Sequence, residues 1–407
     1  GFDKQAFVER FWQRKPLLVR GLLDADALRA VCHLTPRDLL DLAADDDALA
    51  RLVTRTHNAA RPWMLERGPF EPSRLVALPH SDDWTILVSD VDKLVPSVER
   101  LRDSFDFVPR WQIDDVMVSF APAGASIGAH VDSYDVFLLQ GRGTRRWAIE
   151  TAPRTANEEP LLAGADVRVL TDFCEDVACV LEPGDALYLP PRLAHHGVSS
   201  HDECMTYSIG FRAPSVAELL ESFGASAAQA EPSDRMLGVA VADSAASVRR
   251  GRIDPLVVSA ARDEVARAYE AAMHDDEGFA RWCGRLLTAP SPRRIAQSPP
   301  LGAWDYTPGR RDGMRELVES IASGEGDEHD AVLRPAEDAM LAYMELGGGG
   351  CALFVNGEHI ELCRYGDEAT HAHIPLLCDS LLLTGDMLHA PLKESPGLRE
   401  LVTELLR

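Results

Sequence analysis

The spacing of apolar and polar residues changes character along this chain. Residues 5–14 set Phe7, Val8, Phe11 and Trp12 at helical spacing, and residues 16–20 then read as a short strand. Thr35-Pro36 puts a capping residue ahead of a proline suited to a first helical turn, which predicts a helix there. Residues 51–57 and 84–88 read as strands punctuated by Gly68-Pro69, and a helix is expected over 95–105. From Asp114 to Arg212 the texture becomes closely spaced strands, predicted at 115–121, 127–132, 134–140, 144–150, 166–170, 178–182, 185–190 and 203–212. Turns fall at Pro122-Ala123-Gly124, Gly141-Arg142-Gly143 and Pro183-Gly184-Asp185. Eight short strands so spaced point to a closed or double-sheet all-β unit rather than a βαβ sheet.

Beyond Ala213-Pro214-Ser215 the pattern turns helical, over 215–224, 234–248 and 255–288, and residues 289–300 read as a linker. The remainder predicts helices at 312–323, 334–346, 374–384 and 397–406. A hairpin is expected between 351–355 and 359–363, turning at Asn356-Gly357, a type I′ signal. Helices followed by a hairpin are the layout of a winged-helix module. The expectation is an α+β chain in three parts, 1–213, 214–295 and 296–407.

Composition narrows the function. With 407 residues, 46% hydrophobic and 26% charged, the chain can bury a sizeable core, and no apolar run approaches a membrane span. The N-terminus lacks the apolar core of a signal peptide. Eight cysteines without a CxxC pair fit reduced thiols in a cytoplasmic protein. A net charge of −24 disfavours binding to phosphate backbones and favours a basic protein or peptide, although solubility alone would account for the same acidity. The C-terminal residues 301–407 hold 8 Lys/Arg against 20 Asp/Glu, the wrong sign for a groove-binding helix, so direct reading of nucleic acid is not expected.

The chemistry concentrates at Gly128–Trp147. On a strand His130 and Asp132 project together, supplying two ligands of a 2-His-1-carboxylate iron(II) site. The third ligand is sought in residues 181–197, LEPGDALYLPPRLAHHG, where His195 and His196 compete, because neighbours on an extended segment face opposite ways. His201 is a weaker candidate, and His371-x-His373 reads as surface. A structural zinc site using Cys174, Cys179 or Cys204 is the alternative. Three open positions on the metal suit a bidentate 2-oxo acid plus dioxygen. The distal carboxylate of such an acid needs a cation, and no lysine lies between Lys93 and Lys393, so an arginine must serve. Arg145 shares a strand face with Trp147, whereas Arg146 takes the other face. Gly141 and Gly143 are expected to mark a tight hairpin just before them.

DDVMVSF, GAHVDSYDVFLLQGRGTRRW, LEPGDALYLPPRLAHHG and YSIGFRAP together resemble the bacterial ribosomal-oxygenase branch of the JmjC family, a likeness extending over residues 5–214. The resemblance implies a double-stranded β-helix of the cupin-like kind. It also implies Fe(II), 2-oxoglutarate and hydroxylation of an arginine β-carbon on a basic protein of the large ribosomal subunit. It assigns iron to His130, Asp132 and His195, the last because Pro190 to Gly197 matches Pro-Pro-x-x-x-His-x-Gly. It assigns the 2-oxoglutarate carboxylate to Arg145, with hydroxyls from Thr206 and Ser208, and makes the middle helices a homodimer contact. Asp114, Asp115, Tyr134 and Asp135 are the candidates to hold a cationic target side chain. Another JmjC hydroxylase or demethylase, or a non-catalytic binding module, would share the same fold.

Overall fold

The computed structural model describes residues 2–406 apart from 57, 79–82, 235, 238–252, 254, 291–302, 308–313, 325–330, 337–338, 347–349 and 367. It divides into two compact units, Gly1–Ala213 and Pro214–Arg407. The first unit opens with α1 (Lys4–Arg10), β1 (Leu17–Val19), α2 (Ala25–Val31), α3 (Pro36–Ala43), β2 (Leu49–Arg55), β3 (Trp63–Arg67), α4 (Pro72–Val76), β4 (Trp84–Ser89) and α5 (Pro96–Asp103). The barrel strands follow: β5 (Ile113–Ala121), β6 (His130–Val131), β7 (Val136–Arg142), β8 (Arg145–Pro153), β9 (Val177–Leu181), β10 (Ala186–Leu189), β11 (Leu193–Ser199) and β12 (Cys204–Phe211). Helix α3 starts as its sequence dictates. Thr35 Oγ1 accepts from Asp38 N at 3.2 Å, and Asp38 Oδ2 accepts from Thr35 N at 2.8 Å.

Among the described residues of this unit all strand pairs are antiparallel and form two sheets, β1-β10-β7-β12-β5-β4-β2-β3 and β6-β11-β8-β9. Strands β5 to β12 contribute four to each sheet, the arrangement of a double-stranded β-helix. The larger sheet is buried on both faces, which explains why residues 136–139 read as an unbroken apolar run. Val136 and Leu138 join Trp147, Ile149, Leu181, Leu187, Leu189 and Leu193 in one core cluster drawn from both sheets. Phe137 and Leu139 instead join Tyr188, Tyr207, Ile209 and Phe211, which pack with Phe7 and Leu39 of the N-terminal helices. This two-residue parity sorts these side chains into interior and outer layers.

Several expectations are corrected. Residues 166–170 form no strand, only a single bridge between Leu161 and Leu170, and 127–132 shrinks to His130–Val131. Strand β11, not foreseen, takes up the segment after Pro190-Pro191. The Gly141–Gly143 turn is not a hairpin: β7 and β8 lie in different sheets, so the chain turns a corner there. Gly143 has φ +59, and a Cβ on Gly141 would stand 2.5 Å from the Tyr207 ring. Close packing at the corner, rather than strand pairing, requires these glycines.

The second unit contains α6 (Val216–Ala230), α7 (Pro255–His274), α8 (Asp276–Thr288), β13 (Trp304–Thr307), α9 (Met314–Ser323), β14 (Val332–Pro335), β15 (Leu341–Glu345), β16 (Cys351–Val355), β17 (Glu358–Ile360), α10 (Glu368–Asp379), β18 (Leu383–Thr384), α11 (Gly385–Glu394) and α12 (Pro396–Leu405). The hairpin β16–β17 turns at Asn356 (φ 51) and Gly357 (φ 84), both left-handed as a type I′ turn requires. The helix expected over 334–346 is instead the end of β14 and β15. Leu341–Glu345 pairs residue for residue with Cys351–Val355, and that pairing overrides the segment's helix-forming composition. The helix expected over 374–384 starts earlier, at Glu368, and stops at Asp379, leaving Leu383–Thr384 as a strand. Most of the helix expected over 234–248 and most of the linker at 289–300 lie outside the described residues. No helix among the described residues is long and apolar enough to cross a membrane.

Candidate metal centre

Strand β11 lies between β6 and β8. Its register sets His195 directly opposite His130, with Ala194 opposite Val131. The two imidazoles therefore stand side by side, ring centroids 4.3 Å apart. Asp132 follows β6, and its Oδ2 comes within 3.5 Å of His195 Nε2. One ligand atom from each of His130, Asp132 and His195 lies within 4.8 Å of the others, the only such His/Cys/Asp/Glu group among the described residues.

The donor set fits a divalent cation. His130 Nδ1 is 3.0 Å from the carbonyl of Gly128, and His195 Nδ1 is 3.0 Å from that of Leu193. A carbonyl only accepts, so both Nδ1 atoms carry the proton and both Nε2 lone pairs are left for a metal. Burial, and then the neighbouring His130, push the His195 imidazole down to about 4, keeping it neutral as a ligand must be. With His195 neutral, the 3.5 Å contact with Asp132 is not an ion pair, and both groups are free to face one cation. His196 is half-buried, on the opposite side of the strand, with its ring 6.0 Å from Phe173. His201 stays in the β11–β12 turn, where its Nδ1 accepts from Glu203 N at 3.1 Å.

The barrel interior behind the triad holds buried polar side chains among its apolar ones. Arg145 is 6% exposed, and its Nη2 is buried without a hydrogen-bond partner. Its Nε donates weakly to Cys204 Sγ at 3.5 Å, and the guanidinium lies over the Trp147 ring at 5.7 Å. An orphaned, buried cationic donor calls for an anion, and a carboxylate matches its fork. Arg146 instead pairs outside with Glu175 at 2.6 Å. Thr206 and Ser208 are both buried on the inward parity of β12, and Thr206 Oγ1 donates to Gln140 Oε1 at 3.2 Å. Gln140 was missed by sequence reasoning. It is fully buried, and its Nε2 donates to the carbonyls of Arg142 (2.7 Å) and Met205 (3.3 Å). The inward parity it shares with Leu138 was the available signal. Trp147 lies against Gly197, where a Cβ would come within 2.6 Å of the indole.

The four acidic and phenolic candidates separate. Asp115 shares the inward parity, and burial, Asp90, Asp114 and Asp92 together push it up to about 7. A Cβ on Gly210 would stand 3.3 Å from Asp115 Oδ1 and 3.9 Å from the Tyr134 ring, so these two flank one gap. Tyr134 is 43% exposed. Asp114 faces outward and is exposed, beside Lys93, whose Nζ donates to its carbonyl at 3.3 Å. Asp135 is a correction. It is buried at 1% exposure, accepts from the Tyr188 hydroxyl and from Gln13 Nε2 at 3.3 Å, and belongs to the outer layer. Phe137 and Tyr188 in that layer set its parity, so it cannot meet a target side chain in the barrel.

A two-sheet antiparallel barrel with paired imidazoles, one carboxylate and a buried arginine defines the JmjC, cupin-like class, and residues 100–219 match the JmjC domain family model. Over those residues the barrel has the cupin-like fold of that family. Among proteins similar to this chain is a "Probable ribosomal oxygenase" from Haemophilus influenzae, 37% identical over 218 residues, a match spanning 53% of this chain and 51% of that protein. A second is the Escherichia coli "Ribosomal protein uL16 3-hydroxylase", 28% identical over 354 residues, covering 84% of this chain and 89% of that protein. Among solved structures, E. coli YcfD superposes with a TM-score of 0.72 at 25% identity, covering 100% of this chain and 96% of that one. A YcfD complex with cobalt and 2-oxoglutarate superposes with a TM-score of 0.71 at 24% identity.

Proposed function

We propose that this chain is an Fe(II)- and 2-oxoglutarate-dependent oxygenase that hydroxylates a side chain of a large-subunit ribosomal protein, the target being an arginine at its β-carbon. The observation that carries the reading is the pairing of a triad whose Nε2 atoms are left free with a buried guanidinium whose Nη2 has no hydrogen-bond partner, on the same barrel interior. His130, Asp132 and His195 hold the metal. Arg145 binds the distal carboxylate of 2-oxoglutarate, and Ser208 and Thr206, the latter already bonded to Gln140, line the same interior. With dioxygen, bound iron(II) and 2-oxoglutarate supply the oxidant that converts an unactivated C–H bond to C–OH. The protein orients the reactants and excludes water: Trp147, Leu138 and Leu189 wall the interior with apolar surface.

Asp115 and Tyr134 give the target its place. A cationic side chain entering the gap at Gly210 meets the Asp115 carboxylate on one side and the Tyr134 ring on the other, an ion pair and a cation–π contact. The net charge of −24 steers a basic partner towards the enzyme. In the second unit Val216, Leu220, Leu256, Val258, Val265 and Met273 leave apolar surface exposed on α6 and α7, which supports a homodimer contact there.

The test is mass spectrometry of large-subunit ribosomal proteins incubated with the enzyme, iron(II), 2-oxoglutarate and oxygen. A gain of about 16 mass units on an arginine peptide, lost with Asp132→Ala, is the expected result. Succinate formed without that gain would refute the target, and no succinate under any condition would refute the oxygenase.

A further inference from the structure

A salt-bridge network beside the triad has no part in the chemistry described so far. The turn Pro190-Pro191-Arg192 leads into β11, and Arg192 sits in the left-handed region at φ 73, which residues with a Cβ rarely adopt. Such a conformation persists only where its surroundings over-determine it. Here they do. Arg192 Nε donates to the carbonyl of Arg154 at 2.8 Å, and its guanidinium pairs with Glu159. The Glu159 side chain is 3% exposed and is held from its other side by Arg168 at 2.7 Å. Arg154 N donates back to the Arg192 carbonyl at 2.8 Å, and the Arg154 guanidinium is fixed by Glu150 at 2.5 Å and Asp172 at 2.7 Å. The turn is clamped at backbone and side chain alike.

The clamp has one output that bears on the site. Arg192 N donates to the carbonyl of Asp132 at 2.8 Å. Resting on the metal reading above, we propose that Arg192, held left-handed by Glu159, is a positioning residue that fixes the carboxylate ligand Asp132 relative to His195. If φ at 192 relaxed to negative values, the N–H would turn away from the Asp132 carbonyl. The short segment carrying Asp132 would then lose its tie to the strand carrying His195. Groups that orient a metal ligand in this way change metal affinity about 10–100-fold when removed.

The experiment is calorimetric titration of cobalt(II) into metal-free protein, without 2-oxoglutarate or target, beside thermal melting of the same samples. Wild-type binding that disappears in Asp132→Ala establishes the metal site itself; no binding, or binding retained in that variant, defeats the metal reading rather than the clamp. With that site established, Arg192→Ala weakens cobalt binding about 10–100-fold. Arg192→Gly, free to keep positive φ without the clamp, retains more affinity than Arg192→Ala. A role for Arg192 through its charge alone would leave the two equal, so equality overturns the proposal, as does wild-type affinity in Arg192→Ala. Should Arg192→Ala fail to fold, Glu159→Gln carries the test: weaker cobalt binding at an unchanged melting temperature supports the clamp, and wild-type affinity overturns it.

Discussion

Replacing Arg145 by methionine tests its proposed role towards 2-oxoglutarate through stability instead of turnover. At 6% exposure the guanidinium has lost nearly all its hydration, which costs several kcal/mol even after relaxation. Its compensation within the protein is small. The Trp147 ring at 5.7 Å, near the outer reach of such contacts, returns about 2 kcal/mol, and the 3.5 Å contact to Cys204 Sγ returns little. A methionine of similar reach fills the space without a buried charge, so Arg145→Met should stabilise the ligand-free barrel by about 1–3 kcal/mol. For a unit the size of Gly1–Ala213 that raises the melting temperature by roughly 2–12 °C. The same variant should not respond to 2-oxoglutarate. Metal-loaded wild-type protein at a 2-oxoglutarate concentration 100 times Kd gains about 2.7 kcal/mol, a rise of roughly 5–10 °C, and Arg145→Met gains none. A thermal scan with and without 2-oxoglutarate reads both effects. A variant that melts below wild type without ligand, or that keeps the full 2-oxoglutarate shift, would refute the view of Arg145 as a charge awaiting its partner.

Other expectations follow from the same geometry. Asp115, pushed up to about 7 from about 3.9 in an unfolded chain, binds its proton more tightly when folded. Its stabilising contribution is therefore complete below about pH 4 and is lost as pH rises through about 7, a slope that Asp115→Asn should remove from urea melts. Conversely, the half-saturating concentration of a cationic peptide should fall as pH rises through about 7, and steady-state kinetics with Asp115→Asn should show no such fall. Gly197→Ala drives a methyl into the Trp147 indole 2.6 Å away, so denaturant melts should show a loss of about 1–3 kcal/mol. Because Arg145 lies over that indole, 2-oxoglutarate affinity measured by calorimetry should fall too. Removing bound metal with a chelator should lower the melting temperature of the barrel, whereas Asp132→Ala protein should show no response to the chelator.

Local signals proved reliable where one rule governed a segment. Thr35-Pro36 started a helix, Asn356-Gly357 made its turn, and the parity of His130 and Asp132 put both in one cluster with His195. Strand alternation alone left His195 and His196 in competition; the resemblance over Pro190 to Gly197 chose His195, and the register of β11 on β6, a long-range fact, supplies the physical reason. Strand β11 itself was hidden, because Pro190-Pro191 and the adjacent histidines break the apolar alternation that marks a strand. The corner at Gly141–Gly143 was misread for a related reason: consecutive strands usually pair, and only the closure of two sheets shows that these do not. Asp135 was misplaced although the parity of Phe137 and Leu139 could have set it in the outer layer. That inference required knowing that the sheet is covered on both faces.

The facing of His130 and His195 across two strands has a mechanical side. Strand β6 is two residues long and lies at the edge of its sheet, joined only to β11. So short a ladder holds little by itself, and an ion gripping one imidazole from each strand acts as a rivet through the seam. Metal occupancy should then be visible in the backbone as slowed amide exchange confined to residues 130–132 and 193–196, a local stiffening that would accompany activation.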